Sequence, residues 1–307
     1  MYKINPLTKN LTRIIHELKI ISVLTKIFMY MKKLKMIVLL PCLLLLNACQ
    51  QADSQNKTKV KQDNQQDRQL IWSDEFNTDG APNPDYWTYD LGDNGWGNNE
   101  VQNYTKKAEN VRVENGHLVI EAHKTADGWT SARLKSQGLK TFTYGKMEIR
   151  AKLPKGSGTW PAIWMLGENI TSKGWPDCGE IDIMEHVGKD PGQIHGTLHT
   201  RSSFGNSKNS GVTSVSDFSE AFHVYGMEWT ENKITFMVDD KPYYTYQPDV
   251  KNEKTWPFNK PFFFIMNIAM AGNWGSDAQL GSDGKKNGID PNLTSARMEV
   301  DYVRVYQ

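Results

Sequence analysis

Alternation of apolar and polar residues is the pattern that most restricts how this chain can fold. Segment 145–154, GKMEIRAKLP, places Met147, Ile149 and Ala151 on one face and charged residues between them. A period of two residues is typical of a strand with one buried face. The same pattern occurs in segments 117–124, 233–241 and 298–307.

Short clusters rich in Asn, Asp and Gly separate these segments, as in VENGH, TADGW and VDDKP. Only residues 216–222 form a candidate helix. Many strands without alternating helices predict an all-β fold, either an antiparallel sandwich or a barrel. Residues 69–307 have the length of one such domain.

The N-terminal region resembles an export signal. Lys32, Lys33 and Lys35 precede an apolar run that is shorter than the ~20 residues needed to cross a bilayer. Residues 31–48 are therefore predicted to be a signal peptide. The run ends in LNAC, which resembles a bacterial lipoprotein box and predicts lipidation of Cys49. The alternative is an ordinary signal peptide followed by a cysteine by chance.

The segments around the signal differ in character. Residues 1–30 precede a complete signal, so Met31 is an alternative start and residues 1–30 are a doubtful extension. Residues 49–68 contain one Val, one Ala and no aromatic residue, which predicts a disordered tether. The sequence therefore predicts an exported lipoprotein, anchored to a membrane of the cell envelope or surface, with its globular domain at 69–307.

Charge and cysteine content restrict the partners. Removing residues 1–48 removes eight Lys/Arg and one Glu, which leaves 28 basic and 34 acidic side chains. This excess argues against nucleic acid and sulfated polymers as partners. If Cys42 is removed with the signal and Cys49 carries lipid, only Cys178 remains. An internal disulfide and a cysteine-based zinc cluster are then excluded.

Three acids lie within the strand-like segment CGEIDIMEHVG. Glu180 and Asp182 share one face, whereas Glu185 follows at an odd step and would point to the other. A β-bulge at Met184 would return Glu185 to the face of Glu180. The Cα atoms of the two glutamates would then lie ~13 Å apart, and inward-leaning carboxyl groups could approach ~5.5 Å. A retaining glycosidase needs that separation. The alternative is the polar outer face of an edge strand.

Tryptophans flank the three acids. Trp160, Trp164 and Trp175 occur in TWPAIWML and GWPDCGEID. Indole rings pack against the apolar faces of sugars. Trp164 lies between two apolar residues and fits a core position equally well.

The chain from about residue 71 to residue 307 resembles glycoside hydrolase family 16 and, within it, bacterial laminarinases, the endo-β-1,3-glucanases. The matching segments occur in family order: WSDEF, GWGNNEVQNYT, SARLKS, YGKMEIRAKLPKGSGTWPAIWMLG, GEIDIMEHVG, FHVYGMEWT, WPFNKPFFFIMNIAMAGNWG and VDYVRVYQ. The resemblance implies a β-jelly roll of two bent antiparallel sheets with an open substrate cleft. It also implies retention of anomeric configuration.

Roles for the acids follow from the same resemblance. It makes Glu180 the nucleophile, Glu185 the acid/base and Asp182 the partner of the nucleophile. Trp160 is expected to form the floor beside the cleaved sugar.

Further residues resemble substrate-binding positions of the family. Arg133 and His199 match hydrogen-bonding residues, Asn98 and Glu100 match the donor-side wall, and Trp274 matches another subsite wall. Taken alone, Arg133 would indicate a surface charge and His199 a hydrogen-bonded histidine of the sheet.

The resemblance also implies a structural calcium ion on the convex side, at Glu75, Gly116 and Asp301. Hard oxygen ligands suit calcium, although strand alternation also explains Asp301. No cofactor is expected for catalysis.

Three functions remain open at this stage. The leading hypothesis is an endo-β-1,3-glucanase that acts as a monomer on laminarin-like glucan. The second is a hydrolase of the same fold for agarose or mixed-linkage glucan. The pattern EIDIME argues against mixed-linkage enzymes, which typically lack the extra residue before the second glutamate. The third is a glucan-binding module without activity; such relatives lose the catalytic glutamates, and both are present here.

Overall fold

The computed structural model describes residues 68–276 and 288–307. The predicted extension 1–30, the signal 31–48, the lipidation site Cys49 and the tether up to residue 67 lie outside these described residues. Residues Gln69–Gln307 form a compact unit. No helix within the two described ranges is long and apolar enough to cross a membrane.

Short strands are the main regular elements of the described residues, together with two single-turn helices. The strands are β1 Leu70–Asp74, β2 Thr88–Asp90, β3 Gln102–Tyr104, β4 Val111–Glu114, β5 His117–Thr125, β6 Gly128–Ser131, β7 Arg133–Lys135, β8 Gly145–Lys152, β9 Thr159–Gly167, β10 Glu180–Glu185, β11 Gln193–His199, β12 Ser210–Ser214, β13 His223–Trp229, β14 Ile234–Val238, β15 Lys241–Tyr246, β16 Phe262–Met270 and β17 Ser295–Tyr306. The helices are α1 Ile170–Lys173 and α2 Gly272–Gly275.

The strands form two sheets. The larger sheet has the order β15-β14-β13-β8-β17-β5-β6-β3, with β1 paired to β17 and β4 paired to β5. The smaller sheet has the order β12-β11-β10-β9-β16-β7-β2. Neighbouring strands of the described residues are antiparallel except β3 and β6. The predicted all-β, two-sheet architecture is confirmed.

Alternation in each sheet places apolar side chains between the sheets. Met147, Ile149 and Ala151 of β8 are fully buried, as the period of two predicted. From the smaller sheet, Ile163 and Ile181 enter the same core cluster. Burial of this apolar surface is the main favourable contribution to folding.

Two hairpins show how the turn clusters act. Asn115 and Gly116 connect β4 to β5 with φ values of 56° and 77°. Asp239 and Asp240 connect β14 to β15 with φ values of 49° and 57°. Positive φ at both central residues defines a tight two-residue turn. The twist of this turn matches the twist of the two paired strands that it connects.

The candidate helix at 216–222 is wrong, because this segment forms turns. Its length is below what a helix needs to offset nucleation. The carbonyl of Phe218 accepts a hydrogen bond from the amide of Leu153, and the Phe218 ring is buried. Tertiary contacts therefore decide its conformation. The helices α1 and α2 were not predicted.

Candidate active site

A β-bulge in β10 brings the three acids to one face. Asp182 pairs with Thr197 of β11, but the next paired residue of β10 is Glu185, which lies opposite His195. Ile183 and Met184 therefore lie opposite a single residue, and both are buried. A bulge is present as predicted, but against β9 the extra residue is Ile183, because Met184 pairs with Ile163. The bulge returns Glu185 to the face of Glu180 and Asp182, away from the core.

The bulge aligns Glu185 with functional side chains of neighbouring strands. We call this alignment the central row. It consists of His195, Glu185, Ala162, Asn267, Arg133 and Asp90. These residues come from six adjacent strands of the smaller sheet. Because neighbouring strands lie about 4.8 Å apart, the row is ~24 Å long. The sheet therefore offers a site that is several sugar residues in length.

His199 joins Glu180 and Asp182. Its Nε2 atom lies 3.2 Å from Oδ2 of Asp182 and 3.5 Å from Oε1 of Glu180. His199 is opposite Glu180 in the pairing of β10 with β11, so the contact follows from sheet register. The structure therefore brings together three residues that the sequence singled out separately.

The pKa values of all three acids are raised. Burial and the neighbouring charge of Asp182 raise the pKa of Glu180 to about 8. Burial, again followed by Asp182, raises the pKa of Glu185 to about 8. Burial alone raises the pKa of Asp182 well above its ordinary value. Crowded acids in a desolvated site favour their neutral forms, which suits proton transfer near neutral pH.

Each glutamate accepts a hydrogen bond from one tryptophan. The indole Nε1 of Trp175 donates to Oε2 of Glu180 over 3.0 Å, and Nε1 of Trp160 donates to Oε1 of Glu185 over 3.0 Å. Trp175 is 46% exposed, so its ring also presents a surface for a ligand. Two of the three tryptophans predicted beside the acids, Trp160 and Trp175, therefore contact them directly.

Trp160 also belongs to an aromatic group. Its ring meets the ring of Trp274 edge-on with centroids 5.5 Å apart, and His195 meets Trp274 at 4.8 Å. Glu185 is thus bordered by Trp160 and by its row neighbour His195. Aromatic edge-to-face pairs stabilise such groups in a fixed geometry.

Arg133 is held between two indoles. Its guanidinium carbon lies 4.8 Å from the Trp96 ring centroid and 4.7 Å from that of Trp164. Nε lies 3.1 Å from Oδ2 of Asp90, and the side chain is only 12% exposed. Arg133 is therefore not the surface charge that its residue type alone would indicate. Trp164 is half-buried beside it, and its Nε1 donates to Oδ1 of Asn267 over 2.8 Å.

Glu100 is buried and accepts three hydrogen bonds. The donors are Nδ2 of Asn98 at 3.2 Å, Nε2 of Gln102 at 2.7 Å and the hydroxyl of Tyr104 at 3.3 Å. Burial raises the pKa of Glu100. Through these hydrogen bonds, the carboxylate of Glu100 holds the segment from Asn98 to Tyr104 in one conformation. The carbonyl of Asn98 accepts from the amide of Asn273, so the loop is joined to the segment that carries Trp274.

The sequence of this chain matches a known protein family. Residues 98–304 match the sequence model of Glycosyl hydrolases family 16. The chain belongs to glycosyl hydrolase family 16.

Relatives and solved structures agree with the family match. A beta-glucanase of Rhodothermus marinus is 46% identical over 252 residues, covering 78% of this chain and 85% of that protein. A glucan endo-1,3-beta-glucosidase of Cryptopygus antarcticus is 41% identical over 223 residues, covering 67% and 81%. The laminarinase structure from Flavobacterium sp. UMI-01 matches with a TM-score of 0.72 and 43% identity, over 78% of this chain and 100% of that chain. The resemblance to family 16 and the β-jelly-roll fold are confirmed.

Sequence reasoning missed several residues of this family 16 site. Trp96 and Asp90 hold Arg133, Asn267 holds Trp164, and His195 borders Glu185. Asn267 had a visible signal, since it is the only polar residue in the apolar segment FFFIMNIAM. The others come from distant segments, and no local spacing connects them.

The residues predicted to bind calcium are arranged differently from a metal site. Both carboxylate oxygens of Glu75 accept hydrogen bonds from Arg304, at 2.9 and 2.8 Å. Oδ2 of Asp301 lies 2.6 Å from Nη1 of Arg150. Gly116 lies in the β4–β5 turn. Since arginines already neutralise both carboxylates, these side chains as placed do not fit a calcium ion. A calcium ion at this position stays a prediction.

Proposed function

We propose that the protein is an endo-β-1,3-glucanase that hydrolyses laminarin-like glucan by double displacement, with retention of configuration. The observation that carries this proposal is the bulge that turns Glu180 and Glu185 to one face. Each of these glutamates is oriented by its own indole donor. Support for the glucan comes from the relatives named above, which act on β-1,3-glucan or β-glucan.

In the first step, Glu180 attacks the anomeric carbon as a carboxylate, so it must first lose its proton, because burial and the charge of Asp182 raise its pKa to about 8. Glu185 donates its proton to the glycosidic oxygen as that bond breaks, so the leaving chain departs with a hydroxyl group. The raised pKa of Glu185 keeps this proton available near neutral pH.

In the second step, water hydrolyses the glycosyl ester on Glu180. Glu185 now removes a proton from the water, and the carboxylate of Glu180 is released. Asp182 and His199 orient Glu180 throughout. Burial raises the pKa values of both Asp182 and Glu180, so the two acids can share a proton, and Glu180 is the active nucleophile when that proton lies on Asp182.

The central row supports attack within a chain. Glu185 lies one strand from one end of the row, and Arg133 and Asp90 lie at the other. Sugar residues can therefore extend from the acids across β9, β16 and β7. Trp164 provides an aromatic surface along this path, half-buried beside Arg133.

The decisive experiment measures release of reducing ends from laminarin, lichenan, agarose and carrageenan in parallel. We expect laminarin to be hydrolysed fastest, and proton NMR to show the β-anomer first. Fastest release from agarose or lichenan would favour the alternative hydrolases. No release from any of the four, with binding to laminarin retained, would favour a glucan-binding module.

We further propose that the protein is exported, acts as a monomer and is anchored to a membrane through lipid on Cys49. The export and the anchor rest on the signal pattern at 31–48, which leads into LNAC at residues 46–49. The polar composition of residues 50–68 suits a tether between the anchor and the catalytic domain.

A further inference from the structure

The group formed by Glu180, Asp182 and His199 has the dimensions of a metal site. One ligand atom from each residue lies within 4.8 Å of the other two. Nε2 of His199 lies 3.2 Å from the Asp182 oxygen and 3.5 Å from the Glu180 oxygen. In a tetrahedral zinc site with bonds of about 2.0–2.1 Å, neighbouring ligand atoms are roughly 3.3 Å apart. Both distances fit this geometry.

Unsatisfied atoms in the group point to a missing partner. Oδ2 of Asp182 is buried and accepts no hydrogen bond of suitable geometry, although Nε2 of His199 lies 3.2 Å away, and Asp182 as a whole is only 2% exposed. A buried acceptor without a partner costs free energy. A cation that binds this oxygen would supply the partner and would favour the ionised forms of the crowded acids.

The donor set identifies the class of cation. One imidazole nitrogen and two carboxylate oxygens are ligands that zinc accepts. Three protein ligands leave the fourth tetrahedral position for water. Calcium requires six to eight oxygen ligands, so it is a poor match to this group.

We propose that Glu180, Asp182 and His199 together bind one Zn²⁺ ion and that this ion inhibits the enzyme. The inhibitory part rests on the proposed glucanase function, because coordination withdraws the Glu180 oxygen from attack on the sugar. Zinc here is an inhibitor that competes with catalysis, and it takes no part in hydrolysis.

Titration calorimetry with ZnCl₂ tests the site directly, on protein purified without a histidine tag. We expect one ion per chain. Co²⁺ as a substitute should give the strong visible absorption of a tetrahedral complex. Loss of a residue that only hydrogen-bonds to a metal ligand already weakens metal affinity by about 10–100-fold. Loss of the direct ligand in His199→Gln should therefore weaken binding at least tenfold.

Control variants distinguish zinc binding at this site from zinc binding at histidines elsewhere in the protein. His123→Gln also removes a histidine near a carboxylate, with Nε2 3.8 Å from Oε2 of Glu121, but on the larger sheet. It should leave zinc affinity unchanged. Asp182→Asn removes a different ligand of the proposed site and should weaken binding as His199→Gln does. If both of these ligand variants, confirmed as folded by circular dichroism, bind zinc like the parent, the proposal is overturned.

Turnover of laminarin tests the inhibitory part. We expect Zn²⁺ to lower kcat/KM and EDTA to restore it. Stoichiometric binding with unchanged turnover would refute inhibition. Binding in a protein that hydrolyses no β-1,3-glucan would support the zinc site and refute the glucanase proposal, so the two failures are distinguishable.

Discussion

The indole nitrogen of Trp160 donates a 3.0 Å hydrogen bond to Oε1 of Glu185. The two residues lie on neighbouring strands, with Glu185 paired to Ala162, two residues from Trp160. Trp160, expected to form the floor beside the cleaved sugar, therefore also acts on Glu185. A donor at this position stabilises the ionised form of Glu185, which in the proposed mechanism is the form needed after the first proton transfer.

Replacing Trp160 by Phe should shift the pH profile of kcat/KM. The indole hydrogen bond lowers the pKa of Glu185, so its loss should raise that pKa and move the basic limb to higher pH. The expected shift is roughly half a unit to one unit. Trp164→Phe, which removes a hydrogen bond to Asn267 instead, should leave this limb in place. An unshifted limb in Trp160→Phe would contradict the role of the indole.

Glu180→Gly should abolish hydrolysis, because it removes the proposed nucleophile. Azide can occupy the space of the lost carboxylate and attack the anomeric carbon directly. We expect azide to restore product from a substrate with an activated aryl leaving group, with inverted configuration. Proton NMR of the glycosyl azide checks this. A product with retained configuration would exclude Glu180 as the nucleophile.

Glu185→Gln should stabilise the protein at alkaline pH. The folded-state pKa of Glu185, about 8, lies above the ordinary value of 4.5. The folded state therefore binds more protons than the unfolded state between these pH values. The contribution of Glu185 to folding stability is therefore complete below about pH 4.5 and is lost as pH rises through about 8.

Calorimetric Tm values at pH 5 and pH 8 measure this effect. The parent should lose more stability over this interval than Glu185→Gln. The difference should be on the order of a few kcal/mol, since one pKa unit corresponds to about 1.4 kcal/mol. Replacement of the exposed Glu109 by Gln is the matched control and should retain the parent's pH dependence. Parallel pH dependence in parent and Glu185→Gln would count against the raised pKa.

Arg133→Lys should weaken substrate binding although the charge is kept. A lysine ammonium cannot stack between the rings of Trp96 and Trp164 as the planar guanidinium does. We expect kcat/KM on laminarin to fall roughly tenfold, mainly through KM, which corresponds to ~1.4 kcal/mol. Lys135→Arg is a suitable control, since Lys135 also contacts Asp90. Equal kinetics for both variants would argue against the stacked arrangement.

Cys49→Ser should release the protein from the membrane fraction. Removal of the acylated thiol removes the apolar chains that hold a lipoprotein on a bilayer. Fractionation of expressing cells, followed by immunoblotting, measures the distribution. If Cys49→Ser and parent fractionate alike, the anchor assignment fails.

Local patterns in the sequence were sufficient for the strands and the bulge. The period of two identified β8, and the odd step between Asp182 and Glu185 predicted one extra residue in the strand if the acids share a face. The hydrogen bonds of Trp160 and Trp175 were beyond such reasoning, because they depend on side-chain directions across strands. Trp96 and Arg133 are 37 positions apart in the chain, so only the folded structure reveals their contact. The isolated segment 216–222 was misassigned because its contacts with Leu153 are also long-range.

The bulge at Ile183 and Met184 also determines which kinds of genetic change β10 can accept. A substitution there alters one side chain, whereas deletion of either residue would remove the bulge and leave one residue between Asp182 and Glu185. Because residues two apart in a regular strand share a face, the shortened strand would keep Glu185 on the face of Glu180 and Asp182. Insertion of one further residue would instead turn Glu185 toward the apolar core. Mutant libraries of this enzyme should therefore tolerate conservative replacements and single deletions at the two positions better than insertions. Added residues that retain activity are expected in its surface loops instead.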